Sequence, residues 1–402
     1  MDSEVRVCIV TAEYLPNWGG IGSYCVEVSR AISRSAEVHV VTLRRGKAEL
    51  SEQSNIQVHY IGESNPQDTF YYNARFQYSV LRVLPSLVRE YNFDVVHTNF
   101  PPMPDLLPKL LGQVTWKELV TIHTTIEGQR GGILAARMPI HMLDRSEKST
   151  LVMYPALVQL ERYYLRRSRN FITVSNWMKR EMTENNPHLN HVSVVYRGID
   201  TDRFRPRQNR IPPLAEIRGP LILFSSRLTV AKGVHLVIRA MPGVLRRHKD
   251  AHFVFAGAGP QTEWISLLRE TGVDENRYTF LGYVPYELLT GLYSSADIFV
   301  SVGLYENFPA RVLEAMSSGP AVIALDRGAM QEAIDNGENG ILLPRGGSGI
   351  LEQAILRLLE DSETRRRISE HARETILSRF SIEKFRSEMM KVYEQAAESR
   401  PS

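Results

Sequence analysis

Two pairs of charged residues have the types and spacing to hold a phosphorylated, hydroxyl-rich ligand. In LYENFPARVLEAMSSGPAVIA (Leu304–Ala324), Glu306 and Glu314 have seven residues between them. Carboxylates so placed can accept hydrogen bonds from the hydroxyls of a polyol. In SSRLTVAKGVHLVI, Arg227 and Lys232 have four residues between them and precede Gly233. Two fixed cations beside a helix start suit a diphosphate, and they favour the charge that grows on it when it leaves. Taken alone, the glutamates also fit a solvated helix turn and the cations a solvated basic loop.

The elements that must position these residues follow from local patterns. Pro309 suits the first position of a helix, because its fixed φ matches and its missing N–H would be unpaired there. That helix should run through Met316 and stop at Gly319, with AVIA as a buried strand after it. Glu306 then lies on the entering loop and Glu314 in the second turn. The orphan amides around Asn307, Phe308, Ala310 and Arg311 would face a bound anion. A strand at Leu221–Ser226 should lead into the Arg227–Lys232 loop and a helix from Gly233.

The first half repeats the alternation of strand and helix. Val5–Val10 is a continuous apolar run of the kind buried in a parallel sheet. TAEYLPNWGGIGSY follows, where Gly19, Gly20 and Gly22 let backbone approach a ligand at a helix start. Further strands are expected at Glu37–Leu43, Ile56–Ile61, Phe93–Thr98, Leu119–His123, Phe171–Val174 and Val192–Tyr196. Ligands on such sheets bind at the carboxyl ends of strands. His97 and His123 fall at two of those ends, as ligand-facing groups or as structural hydrogen-bonders. Ser175 is placed to cap the helix beginning NWMKREM.

At 402 residues the chain exceeds what a single core supports, so two domains are expected. Their bounds are 1–200 and 221–380, with a linker at 201–220 marked by Pro206, Pro212, Pro213 and Pro220. A net charge of +3 is too small to argue for nucleic acid, and none is expected as a partner. The opening MDSEVRVCIV lacks the pattern of a signal peptide, there is no run of about 18 apolar residues, and Cys8 and Cys25 are not spaced for a redox pair. A cytoplasmic protein is expected, without metal or cofactor. No G-x4-G-K-[ST] occurs, and GGxG falls short of the dinucleotide fingerprint. Asp200 and Asp202 could be a metal-binding D-x-D or a turn.

The stretch from Glu306 to Glu314 closely resembles the E-x7-E signature of retaining glycosyltransferase family 4, and R-x4-K-G at Arg227–Gly233 resembles that family's diphosphate clamp. The resemblance covers nearly the whole chain. It implies an α/β architecture of the GT-B class: two facing Rossmann-like domains with parallel sheets, and a C-terminal helix (381–399) crossing back to the first. It implies that Glu306, Asn307 and Phe308 hold the transferred sugar and Glu314 the ribose. Gly19, Gly20 and Gly22 would face the diphosphate, the backbone at Gly282, Tyr283 and Val284 the nucleobase. His123 would stand near the sugar's hydroxymethyl group, and His97 would line the acceptor side. The small residue usual after the first glutamate is Asn307 here, and Arg197 replaces an asparagine in the connection resembling N-G-[IV]-D…F-x-P, which favours the turn reading of Asp200.

The implied reaction is metal-independent, retaining transfer of a hexose-type sugar from a UDP- or GDP-linked donor to a glycan, lipid or small-molecule hydroxyl. A sugar-nucleotide epimerase or nicotinamide-dependent enzyme, and a non-catalytic nucleotide-sugar binder, are the alternatives. For the acceptor, Arg137–Arg180 carries nine Lys or Arg against three acids, interleaved with apolar residues such as Ile140, Met142 and Tyr164. The helix around Phe76, Tyr78 and Arg82 adds to it. These fit peripheral contact with an anionic membrane at its inner face, or equally core residues beside solvated arginines.

Overall fold

The computed structural model describes residues 5–14, 20–44, 55–63, 70–101, 103–189, 191–207, 209–344 and 347–399. The chain divides into two compact units, Met1–Thr125 with Ala156–Gly198 and Ile382–Ser402, and Ile126–Pro155 with Ile199–Ser381.

Among the described residues, the first unit's sheet holds β1 (Val5–Val10), β2 (Ala36–Arg44), β3 (Ile56–Glu63), β4 (Val95–Phe100), β5 (Glu118–Ile122), β6 (Phe171–Thr173) and β7 (Val192–Val194). They are ordered β3-β2-β1-β4-β5-β6-β7, and every pairing is parallel. Val7–Val10 and all of β4 and β5 are buried, as strands of a parallel sheet are when helices cover both faces. The helix Gly20–Ile32 covers one face, together with Phe385, Met389, Tyr393 and Ala396 of the C-terminal helix Ile382–Glu398. Burying such a Phe or Met stabilises by roughly 1.5–3 kcal/mol, which fixes the last helix on the first sheet.

The second unit's sheet, again among the described residues, holds β8 (Leu221–Ser225), β9 (His252–Ala256), β10 (Tyr278–Gly282), β11 (Ile298–Ser301), β12 (Ala321–Leu325) and β13 (Ile341–Leu343). Its order is β10-β9-β8-β11-β12-β13, all parallel.

The units depart from the expected bounds at Ile126–Pro155 and at the expected linker, 201–220. Ile126–Pro155 belongs by contact to the second unit rather than the first. Ile133, Ala136, Met142 and Leu143 are buried in the same core as Leu228, Val230, Val234 and Val302, which is the physical reason. The stretch 201–220 packs there too: Phe204 is buried, and Arg210 pairs with Asp297 at 2.8 Å.

Candidate functional site

Strand order locates the site in the second unit. Successive strands step outward from β8 in one direction, then in the other from β11, so the order reverses between these neighbours. The loops leaving the carboxyl ends of such a pair diverge and leave room for a ligand. The loop after β8 carries Arg227 and Lys232, and the loop after β11 carries Glu306.

These loops meet through side chains. Lys232 Nζ donates to Glu306 Oε1 at 2.5 Å, with both side chains mostly buried. An ammonium has three donors, so this bond leaves others for a phosphate. Arg227, 59% exposed, has Asp144 Oδ2 at 3.9 Å. Gly233, at φ +76°, starts the next helix where a Cβ would overlap the Val302 carbonyl, which brings the Lys232 loop hard against the end of β11. Gly328, at φ +59°, lies so close to the Glu306 carbonyl oxygen that any side chain would overlap it, and the neighbouring Ala329 amide donates to that oxygen at 3.1 Å. Backbone contact therefore holds Glu306 from behind.

The helix after Glu306 runs Ala310–Ser318 and ends at Gly319 in the left-handed region (φ 112°). Pro309 is its cap rather than its first residue. With φ −87° and ψ 66° it centres a tight turn in which the Ala310 amide donates to Phe308 O at 3.0 Å, so that amide is already engaged. Glu314 is buried and accepts from the Tyr293 hydroxyl at 2.8 Å, while burial and this carboxylate push the Tyr293 pKa up. Arg311 donates to Ser225 Oγ at 3.4 Å. At the end of β10, Gly282 adopts φ +66° and accepts from the Gly257 amide at 2.7 Å; Tyr283 beyond it is 52% exposed and Val284 partly so.

The first unit treats its polar residues differently. His97 lies in the middle of β4, because that strand continues to Phe100 instead of ending at Thr98. It is buried, its Nδ1 2.7 Å from Tyr393 Oη and its Nε2 2.7 Å from Thr121 Oγ1. Burial lowers its pKa to about 3. The acceptor-side expectation for His97 is thus corrected: it is a structural hydrogen-bonder. His123 sits just past β5, partly exposed, with Nε2 2.8 Å from Asn99 Oδ1 and its ring edge-on to Tyr24 at 4.7 Å. Burial, then the charges of His97 and Arg197, lowers its pKa. Gly20 opens the helix Gly20–Ile32 and Gly22 is buried within it; Gly19 lies outside the described residues. Arg197 makes two bonds of 2.5 Å to the Glu27 carboxylate, a use that accounts for an arginine at this position.

Asp200 accepts from the Asp202 and Arg203 amides at 3.2 and 3.0 Å, the geometry of a turn. Among the described residues no group of three or more His, Cys, Asp or Glu is arranged to hold a metal ion. Several members of the site escaped the sequence reading. Tyr293 carries no motif. Asp144 and Glu147 do carry one, the D-x-x-E of a capping box, and their amides and carboxylates are reciprocally bonded at 2.7 and 3.1 Å.

Comparison with known proteins comes from both halves of the chain. Residues 208–375 match the family model for glycosyl transferases group 1, and residues 18–203 that for glycosyltransferase family 4. An uncharacterised glycosyltransferase of Methanocaldococcus jannaschii is 28% identical across 98% of this chain and 99% of its own length. Two solved structures share the fold. The sucrose-phosphate synthase of Thermosynechococcus elongatus has a TM-score of 0.75 at 18% identity, covering 97% of this chain and 98% of that one. The Anabaena HepE protein, in complex with UDP and glucose, has a TM-score of 0.71 at 17% identity, covering 96% and 98%.

Proposed function

Because the chain belongs to glycosyltransferase family 4, we propose that it moves a hexose-type sugar from a UDP- or GDP-linked donor to a hydroxyl acceptor, with retention and without a metal ion. The observation that carries this reading is the Lys232–Glu306 pair, an ammonium and a carboxylate 2.5 Å apart where the strand order reverses. Such a pair offers one group to the diphosphate and one to the hydroxyls of the sugar attached to it. As the bond from the anomeric carbon to the phosphate oxygen breaks, negative charge grows on the diphosphate, and Arg227 and Lys232 stabilise it. The acceptor oxygen bonds to the same carbon from the same face, and its proton passes to the departing phosphate. Glu314, buried and held by Tyr293, is assigned to the ribose, and the backbone beside Tyr283 to the base. His123 is assigned to the sugar's hydroxymethyl group.

Relatives lend this support in kind only. The HepE protein is described in complex with UDP and glucose, and with UDP-glucose. The acceptor is a glycan, a lipid or a small molecule. Among the described residues no helix is long and apolar enough to cross a membrane. A lipid-linked acceptor is favoured by the exposure of Ile140 (73%) and Val152 (81%) in the same segment as exposed Arg137, Arg145 and Lys148. Met142, Tyr164 and Phe76, by contrast, are core.

The test is a thermal-shift panel of UDP- and GDP-hexoses, run with and without EDTA and followed by assay of nucleotide release. A donor at 100 times its dissociation constant stabilises by about 2.7 kcal/mol. Binding that persists in EDTA, with turnover on addition of acceptor, is expected. Strict dependence on magnesium or manganese would overturn the metal-free clamp. Binding without turnover would favour a non-catalytic sugar-nucleotide binder.

A further inference from the structure

We infer that Ile126–Pro155 is a brace that positions the two donor-site loops, with Gly128, Gly132 and Glu147 as its positioning residues; the inference rests on the donor-site reading of Lys232 and Glu306. Three observations within the second unit meet on this segment.

The first is a seat. In the helix Ile126–Ala135, a Cβ at Gly128 would overlap the Tyr305 ring and hydroxyl, and one at Gly132 would come 2.8 Å from Tyr305 Cβ. These glycines are one helical turn apart, so together they form a groove on one face. Tyr305 lies in it, and the next residue is Glu306.

The second is a tether. Glu147 is buried, with Oε2 accepting from the Asp144 amide at 3.1 Å and Oε1 from the Ala231 amide at 2.9 Å. The next residue after Ala231 is Lys232. A capping carboxylate needs only one of those bonds; the other ties a helix start to the loop of the clamp.

The third is shared core. Ile133, Met142 and Leu143 are buried with Leu228, Val230 and Val302, which flank both loops. The segment thus grips each loop one residue from its functional side chain, and a misplacement of about 1 Å at such a side chain can cost 10²-fold in rate.

Glycine-to-alanine changes in one helix separate positioning from folding. At Gly131 nothing lies within 4 Å, so Gly131→Ala should raise the melting temperature slightly and leave turnover unchanged. Gly128→Ala should stay folded but lose about 10- to 100-fold in kcat/KM for the donor sugar. Glu147→Ala should weaken UDP or GDP binding, measured by titration, and Glu147→Gln, which keeps one oxygen for Ala231, should restore part of it. Ile368→Val, a buried change elsewhere in the unit, serves as the stability control. Hydrogen exchange on the free protein needs no ligand: the Ala231 amide should exchange faster in Glu147→Ala, and the 303–309 amides faster in Gly128→Ala. Equal turnover and exchange in Gly128→Ala and Gly131→Ala, or a Glu147→Ala loss no larger than that of Ile368→Val, overturns the brace. Wild-type protein that binds no nucleotide sugar while the exchange differences persist overturns the donor-site reading instead.

Discussion

Both units bring polar residues to the carboxyl ends of a parallel sheet, yet they use them in opposite ways. In the second, Arg227, Lys232 and Glu306 sit on loops beyond β8 and β11, partly open and held by ion pairs. In the first, His97 lies inside β4, with each ring nitrogen bonded within the core, while His123 stands past a strand end. The difference teaches that strand length decides which polar residue can act. Two more residues of strand turn a ligand-facing histidine into a core hydrogen-bonder, while a loop beyond the strand keeps Arg227 and Lys232 partly open although each has a carboxylate partner.

The comparison can be broken most sharply at the clamp. Lys232→Ala or Arg227→Ala should cost on the order of 2–4 kcal/mol in the transition state, roughly 30- to 1,000-fold in rate, with the fold intact by circular dichroism. Wild-type turnover in a folded double variant would remove the clamp from the mechanism.

On the other side, the buried histidine should show itself in stability rather than rate. His97 takes up a proton only near pH 3 in the folded state, against 6.5 for an ordinary histidine. Below pH 6.5 the unfolded chain therefore binds more protons than the native one, and stability falls with pH by up to about 1.4 kcal/mol per unit until pH approaches 3. His97→Gln should flatten that slope in urea titrations between pH 6.5 and 4.5 by about one proton. An unchanged slope would mean His97 is not held neutral by the core.

The two glutamates sharpen the contrast within the site. Glu306→Gln should lower transfer more than product-nucleotide affinity, since its carboxylate is bonded to Lys232 and is the group proposed for the sugar. Glu314→Gln, buried on Tyr293, should do the reverse, weakening nucleotide binding by about 1.5–3 kcal/mol, the worth of a hydrogen bond to a charged group. Equal losses of nucleotide binding in both would dissolve the separate roles.

The smallest effect concerns the surface. Sedimentation with anionic rather than neutral liposomes should increase at low salt, each cation near the surface adding about 1 kcal/mol. Charge reversal at Arg137 and Lys148 should reduce it. Binding that ignores both salt and lipid charge points to a soluble acceptor.

How much of this was legible beforehand depends on the range of the signal. The alternation of apolar strands with helical stretches, the glycine stop at Gly319 and the Ser175 cap, whose oxygen accepts the Met178 amide at 3.1 Å, are written within a few residues of where they act. So are E-x7-E and R-x4-K-G, since a loop and the first turns of a helix present their side chains at fixed intervals. These determine by themselves a two-unit parallel α/β protein and the charges of its candidate site. What only the tertiary structure decided is which partner each group meets across sequence distance. Lys232 meets Glu306, Glu314 meets Tyr293, His97 meets Tyr393, and Arg197 meets Glu27. The assignment of Ile126–Pro155 to the second unit is of the same kind, because its apolar residues are spaced for burial but carry no mark of which core will receive them. Burial in a core is non-directional, and only the packed chain selects among the surfaces that could supply it.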